Sequence, residues 1–249
     1  MNPLPIEKVI PDLRGALKQH RNVILTADPG AGKTTRVPLA LLDERWLDGR
    51  KLIMLEPRRL AARRAAVYMA GQLGERVGET VGYRIRGDSM VGRQTRIEIV
   101  TEGILTRMLQ DNAGLPGVGL VVFDEFHERS IHADLGLAFT LDVQEHLRND
   151  LRIVVMSATL DVLSLASFLG DHAVVKSDGR IYMPLRRRPR GRLAEAHASG
   201  TGPRKRAFSF AAVESAPCGE MAERLKAHAW KACVRETVPW VRIPLSPLH

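Results

Sequence analysis

Through residue 183, short apolar runs alternate with stretches whose apolar positions recur at helical spacing. Ile6, Val9, Ile10, Leu13 and Leu17 share one helical face, and Pro11 sets the start of that helix near itself, because proline suits a first turn. Val23-Ile24-Leu25 predicts a strand, and Val37 to Leu42 belong to a helix that opens near Lys33. Residues 51–56 predict a second strand, closed by Pro57, and residues 58–73 a helix rich in Ala and Arg. Strands are predicted over 81–85 and 96–100, with Thr101 a candidate N-cap for a helix over 102–110. Residues 120–123 predict a buried strand, 134–148 a helix, 151–156 another buried strand and 161–169 a short helix. Apolar strands alternating with helices imply a mostly parallel sheet covered on both faces. The predicted fold class is α/β, doubly wound, with ligands at the carboxyl ends of the strands.

The polar clusters fall where such a sheet needs them. Lys33, Pro57-Arg58-Arg59, Thr101, Asp124-Glu125 and Ser157-Ala158-Thr159 each follow an apolar strand. The first belongs to Thr26–Thr35, TADPGAGKTT, set between a strand and a helix, which is the context of a phosphate-binding loop. Gly30 and Gly32 allow backbone N–H groups to converge on phosphate oxygens, with Asp28, Ala31 and Thr35 completing the cradle. The helix opening at Lys33 adds its positive end. Lys33 supplies charge to the β- and γ-phosphates of ATP, and the Thr34 hydroxyl is the expected Mg²⁺ ligand. Ala27 stands where this loop pattern has its first glycine; a small residue with negative φ is compatible with that position. Asp124 is placed to hold the same Mg²⁺, and Glu125 to orient or deprotonate the attacking water.

The run Asp124-Glu125-Phe126-His127-Glu128-Arg129 resembles the motif II of DEAH-box superfamily 2 helicases, and the chain is most similar to the bacterial HrpB type. ADPGAGKTT, LEPRRLAA (55–62), VGYRIR (81–86), TEGILTR (101–107), DEFHER (124–129) and SATLD (157–161) occur in that family's order. The resemblance covers roughly residues 5–183 and implies a RecA-like P-loop NTPase domain that drives nucleic-acid unwinding with ATP. It implies that Lys33, Asp124, Glu125 and His127 act in catalysis. It further implies that Arg58, Arg59 and Thr101 contact the backbone of single-stranded RNA or DNA, and that Ser157 and Thr159 couple nucleotide state to domain movement. The family places an Arg that stacks on adenine where this chain has Tyr68, whose ring could stack there or pack in the core. A non-catalytic nucleotide- and RNA-binding fragment, or another phosphate-loop ATPase, remains open at this level.

Charge changes the picture only beyond residue 183. The chain carries a net charge of +9, yet residues 185–249 hold 13 Lys and Arg against 5 Glu and no Asp, leaving +1 for residues 1–184. Both cysteines, Cys218 and Cys233, lie in this same stretch and have no His pair at metal-ligand spacing. The segment is rich in Arg and Pro, lacks a sustained period, and contains no Q-x-x-G-R-x-G-R sequence, which the family carries in a second RecA-like domain. Residues 221–244 resemble translated transfer-RNA gene regions. A poorly ordered basic tail from a truncated or rearranged reading frame is the expectation for 184–249, and a second RecA-like domain would be needed for full activity. No run of about 18 apolar residues occurs and the N-terminus lacks a signal-peptide layout, so a cytoplasmic protein without membrane contact is expected.

A chain ended at Tyr182 is expected to keep its urea-unfolding midpoint and to bind single-stranded RNA more weakly at low salt. The log–log salt slope should fall by about 0.7 for each phosphate that the tail neutralises.

Overall fold

The computed structural model describes residues 4–128, 130–158, 165–166, 169–177 and 181–182, all within one compact unit, Met1–Leu185. Thr159, most of the short helix expected over 161–169 and the basic stretch 184–249 lie outside the described residues.

A 3-10 turn at Pro5–Lys8 precedes α1 (Ile10–Gln19), which has Pro11 in its first turn. β1 (Asn22–Thr26) leads to α2 (Lys33–Leu41), and β2 (Lys51–Leu55) to α3 (Arg59–Gln72). β3 (Val81–Ile85) and β4 (Asp88–Met90) form a hairpin. β5 (Ile97–Val100) leads to α4 (Glu102–Asp111), and β6 (Val118–Phe123) to α5 (Ile131–His146). β7 (Arg152–Ser157), β8 (His172–Lys176) and β9 (Ile181–Tyr182) follow. They form one nine-stranded sheet in the order β4-β3-β5-β2-β6-β7-β1-β8-β9. Pairing is antiparallel for β3 with β4 and for β8 with β9, and parallel for the other neighbours.

The central strands are buried on both faces, as their unbroken apolar runs require. Val23, Leu25, Leu52, Met54, Leu120 and Val122 pack with α1, α2 and α3 on one face. On the other, Gly136 of α5 lies close enough to Leu105 and Phe123 that an added Cβ would meet them at 3.5 and 3.6 Å.

Several expectations need correction. β4, β8 and β9 are not evident in the sequence: β4 is three residues of Asp-Ser-Met, β9 is two residues, and β8 is framed by His172 and Lys176. Short outer strands rely on pairing with an existing edge more than on their own pattern. α5 starts at Ile131 rather than 134, because the Ser130 hydroxyl accepts from the His132 N–H at 3.1 Å and caps the helix early. Thr101 does sit at the N-cap of α4, but its side chain makes no capping bond.

The amino-terminal region of the sheet is held by polar ties. The Gln144 amide donates to Asn22 Oδ1 at 2.7 Å and to the Leu151 carbonyl at 2.9 Å, and Asn22 donates to the Leu169 carbonyl at 2.7 Å, all buried. Nearby, Asp150 accepts from Arg148 and Arg50; the Arg148 hydrogen bond, with a lesser contribution from the Arg50 charge, holds its carboxyl well below the usual range. Gln144→Ala is expected to lower unfolding stability by about 1–3 kcal/mol in urea, since it strands two buried acceptors. An unchanged midpoint would show that water replaces the amide.

Candidate functional site

The five central strands, β5-β2-β6-β7-β1, end on one edge of the sheet, with β5, β2 and β6 level with one another and β7 and β1 running two residues further. Thr26 pairs with Ser157, and Leu55 pairs with both Phe123 and Val100. Backbone bonds extend the register one step further: Ala27 N–H donates to the Ser157 carbonyl at 3.2 Å, Asp124 N–H to Leu55 at 2.9 Å and Glu56 N–H to Val100 at 2.9 Å. The described residues of every strand-end cluster singled out above therefore lie on one edge. The phosphate-loop residues, Ser157 and the Asp124-Glu125 pair follow β1, β7 and β6, while Arg58, Arg59 and Thr101 follow β2 and β5.

The loop after β1 is shaped by backbone conformation. Gly30 and Gly32 have φ of 78° and 95°, a region costly for side-chain-bearing residues. A Cβ on Gly32 would also lie 2.7 Å from Leu4 Cδ1, so the N-terminal segment closes under the loop. The Ile6 N–H donates to the buried Ala31 at 3.3 Å, and the Ala31 N–H to the exposed Asp28 carbonyl at 3.2 Å. Ala27 is absent from the positive-φ residues, so its methyl is tolerated. Lys33 is 4% exposed, and its ammonium donates to the carbonyls of Ala27 at 2.5 Å and Asp28 at 3.2 Å. Thr34 and Thr35 follow in the first turn of α2.

Opposite the loop, burial pushes the Asp124 carboxyl up to about 6; Glu125 raises it further, while the Thr34 hydroxyl, the Glu125 N–H and the Lys33 charge pull it down. Its Oδ1 accepts from Glu125 N–H at 2.9 Å, and its buried Oδ2 has no hydrogen-bond partner. An orphaned carboxylate oxygen beside a hydroxyl fits a hard divalent cation such as Mg²⁺, with phosphate and water supplying the other ligands. Glu125 has φ of 49°, a strained conformation for a non-glycine residue. His127 Nδ1 lies 3.3 Å from Glu125 Oε2 and accepts from the Ala158 N–H at 3.3 Å, which joins the segment after β6 to the end of β7.

Arg58 and Arg59 begin α3, where cations oppose the helix dipole. Both already have partners, which the sequence alone does not reveal. Arg58 pairs with Glu128 at 2.6 Å, and Arg59 donates to the Arg86 carbonyl at 2.6 Å. With Thr35, Arg64 and Tyr68 they line a cavity of about 750 Å³. Tyr68 is 52% exposed, so it is a wall of this cavity and not core.

Glu56 is the residue that sequence reasoning misses. At the end of β2 it is 3% exposed, and burial, followed by the neighbouring Asp124 charge, pushes its carboxyl up to about 8. Only its position, an acid closing an apolar strand before Pro57, hints at this.

A family model for DEAD/DEAH box helicases matches residues 7–167. The chain belongs to that family. It is 53% identical over 188 residues to the ATP-dependent RNA helicase HrpB of Escherichia coli, covering 76% of this chain and 23% of that protein. It is 32% identical over 179 residues to the ATP-dependent RNA helicase HrpA of Borreliella burgdorferi, covering 72% and 22%. A crystal structure of the E. coli DExH-box NTPase HrpB superposes with a TM-score of 0.68 at 52% identity, covering 71% of this chain and 22% of that one. The sheet is thus the RecA-like α/β domain of this helicase family, and the chain spans less than a quarter of the length of these relatives.

Glu56 makes the domain lose stability as pH rises from 4.5 to about 8. Its carboxyl rises from 4.5 to about 8 on folding, so the unfolded chain releases this proton first. The stability it contributes is full below 4.5 and is lost as pH rises through about 8, at up to about 1.4 kcal/mol per pH unit. Glu56→Gln is expected to leave thermal stability near pH 4.5 unchanged and to raise it near pH 8.5. An equal shift at both values would mean that the carboxyl is ionised in the fold.

Proposed function

We propose that this domain binds Mg·ATP between the β1 loop and the carboxylates after β6, hydrolyses it to ADP and phosphate, and couples the reaction to movement on a single strand, RNA before DNA. The observation that carries this reading is the approach of Lys33, Thr34 and the orphaned Asp124 Oδ2 from two different strand ends.

The chain's own groups divide the work. The backbone N–H groups of the loop and the start of α2 cradle the phosphates. Lys33 leaves the loop carbonyls to neutralise the β- and γ-phosphates, exchanging neutral acceptors for charged ones. Thr34 and Asp124 would hold Mg²⁺, which supplies positive charge to the phosphoryl oxygens. Glu125 accepts a proton from the attacking water, and His127, by accepting the Ala158 N–H, ties the segment after Glu125 to the end of β7. The cavity lined by Thr35, Arg64 and Tyr68 offers the nucleotide base a ring to stack on. Arg58, Arg59 and Thr101 contact strand phosphates, and Ser157 with Thr159 relays nucleotide state. The E. coli relative's description as an ATP-dependent RNA helicase favours RNA. A second RecA-like domain, bringing arginines to the transferring phosphate, completes the unwinding cycle.

Lys33→Ala is expected to lower Mg·ATP affinity by at least about tenfold in a fluorescence titration, because a charge-assisted contact is lost. Glu125→Gln should keep that affinity and lose RNA-stimulated phosphate release. Equal loss of binding and turnover in Glu125→Gln would make Glu125 a structural residue.

A further inference from the structure

The segment between the hydrolytic carboxylates and α5 is tied at both ends to residues next to the proposed nucleic-acid contacts. Its first half is a 3-10 turn at Phe126–Glu128, in which the Glu128 N–H donates to the Glu125 carbonyl at 2.9 Å. Phe126 anchors the turn, 6% exposed and edge-to-face on Phe123 at 6.1 Å between ring centroids. From that turn the Glu128 carboxylate reaches Arg58 at the end of β2, at 2.6 Å. At the far end, the Ser130 hydroxyl donates to Glu102 Oε2 at 3.0 Å while capping α5, and Glu102 directly follows Thr101 at the end of β5. A displacement at Arg58 thus reaches Glu125 through one turn, with Ser130 as the fixed end.

We propose that Glu128 is a positioning residue: it and a phosphodiester of the bound strand compete for the Arg58 guanidinium, and the exchange transmits strand binding to Glu125. This rests on the proposed reading of Arg58 as a phosphate contact. The pair suits an exchange. The Arg58 side chain is 71% exposed and that of Glu128 34%, so the bond forms largely in water and holds weakly. A phosphate offers the same fork of oxygens to a guanidinium and also releases counterions from the strand, which favours the replacement. When Arg58 turns to a phosphate, Glu128 loses its restraint, and among the described contacts Phe126, His127 and the Ser130 end still hold the turn that follows the strained Glu125.

The test is a double-mutant cycle in the full chain, reading the affinity for a fluorescent oligouridylate at several salt concentrations and the affinity for Mg·ATP with and without that strand. Arg58→Ala should weaken strand binding and lower the salt slope by about 0.7. Glu128→Gln should tighten strand binding by about two- to fivefold, the range of an exposed ion pair. In the Arg58→Ala background, Glu128→Gln should change nothing, whereas a general loss of negative charge would tighten binding in both backgrounds. In the parent chain the strand and Mg·ATP should alter each other's affinity by one common factor, and Glu128→Gln should bring that factor towards one. Glu128→Ala, which also removes the contact, should reproduce each change and guards against an effect peculiar to the amide. An effect of Glu128→Gln that persists without Arg58, or an unchanged coupling factor, overturns the competition. If Arg58→Ala leaves strand affinity untouched, the reading of Arg58 as a phosphate contact fails and the competition falls with it.

Discussion

The parallel register of β5, β2, β6, β7 and β1 is the constraint on which the rest of the structure depends. Because these parallel strands all end on the same edge, the backbone delivers five polar segments there without any side chain having to span the sheet. The apolar runs that enforce burial on both faces also keep the first residues after β2 and β6 dry, with Glu56 and Asp124 each 3% exposed, and burial raises the cost of a charge there. Glu56 and Asp124 follow adjacent strands, so two carboxyl groups are forced together where water is scarce. Burial pushes both upward, aided by the Asp124 charge at Glu56 and by the Glu125 charge at Asp124. Such perturbed acids gather where chemistry is done. The opposite region of the molecule uses charge differently: Arg50, Arg148 and Asp150 are paired with one another and with backbone carbonyls, an arrangement that fastens the strand starts.

Strand order divides the edge into two halves. β1, β7 and β6 carry the phosphate loop, Ser157 and the acid pair, while β2 and β5 carry the Arg pair and Thr101. They adjoin at the β2–β6 boundary, where the Asp124 N–H bonds to Leu55 and Glu56 lies beside Asp124. Arg58–Glu128 and Ser130–Glu102 cross the same boundary. The two halves of the edge are joined directly by these hydrogen bonds. The strain at Glu125, a non-glycine residue at φ of 49°, sits at this junction.

Much of this was legible in the chain itself. Apolar runs mark β1, β2, β6 and β7, residues 96–100 read as a strand at β5, helical spacing marks α1, composition marks α2 and α3, Thr101 marks the start of α4, and the Gly-Lys-Thr turn between strand and helix marks the phosphate loop. Those features are local: they depend on side-chain periods of two and 3.6 and on backbone preferences of Gly and Pro. The tertiary structure alone decided who stands next to whom. Val23 pairs with Val154 across most of the domain, and β2 enters beside β6 rather than β1, which no periodicity encodes. From that order come the elevated Glu56 carboxyl, the exposed setting of Tyr68 on a cavity wall, and the partners of Arg58 and Arg59. The short β4, β8 and β9 belong to the same class, since an edge strand is fixed by the neighbour it hydrogen-bonds to. Local pattern names the elements because its energies are local; pairing order is set by burying all of them at once, and the chemistry at the sheet edge follows from that order.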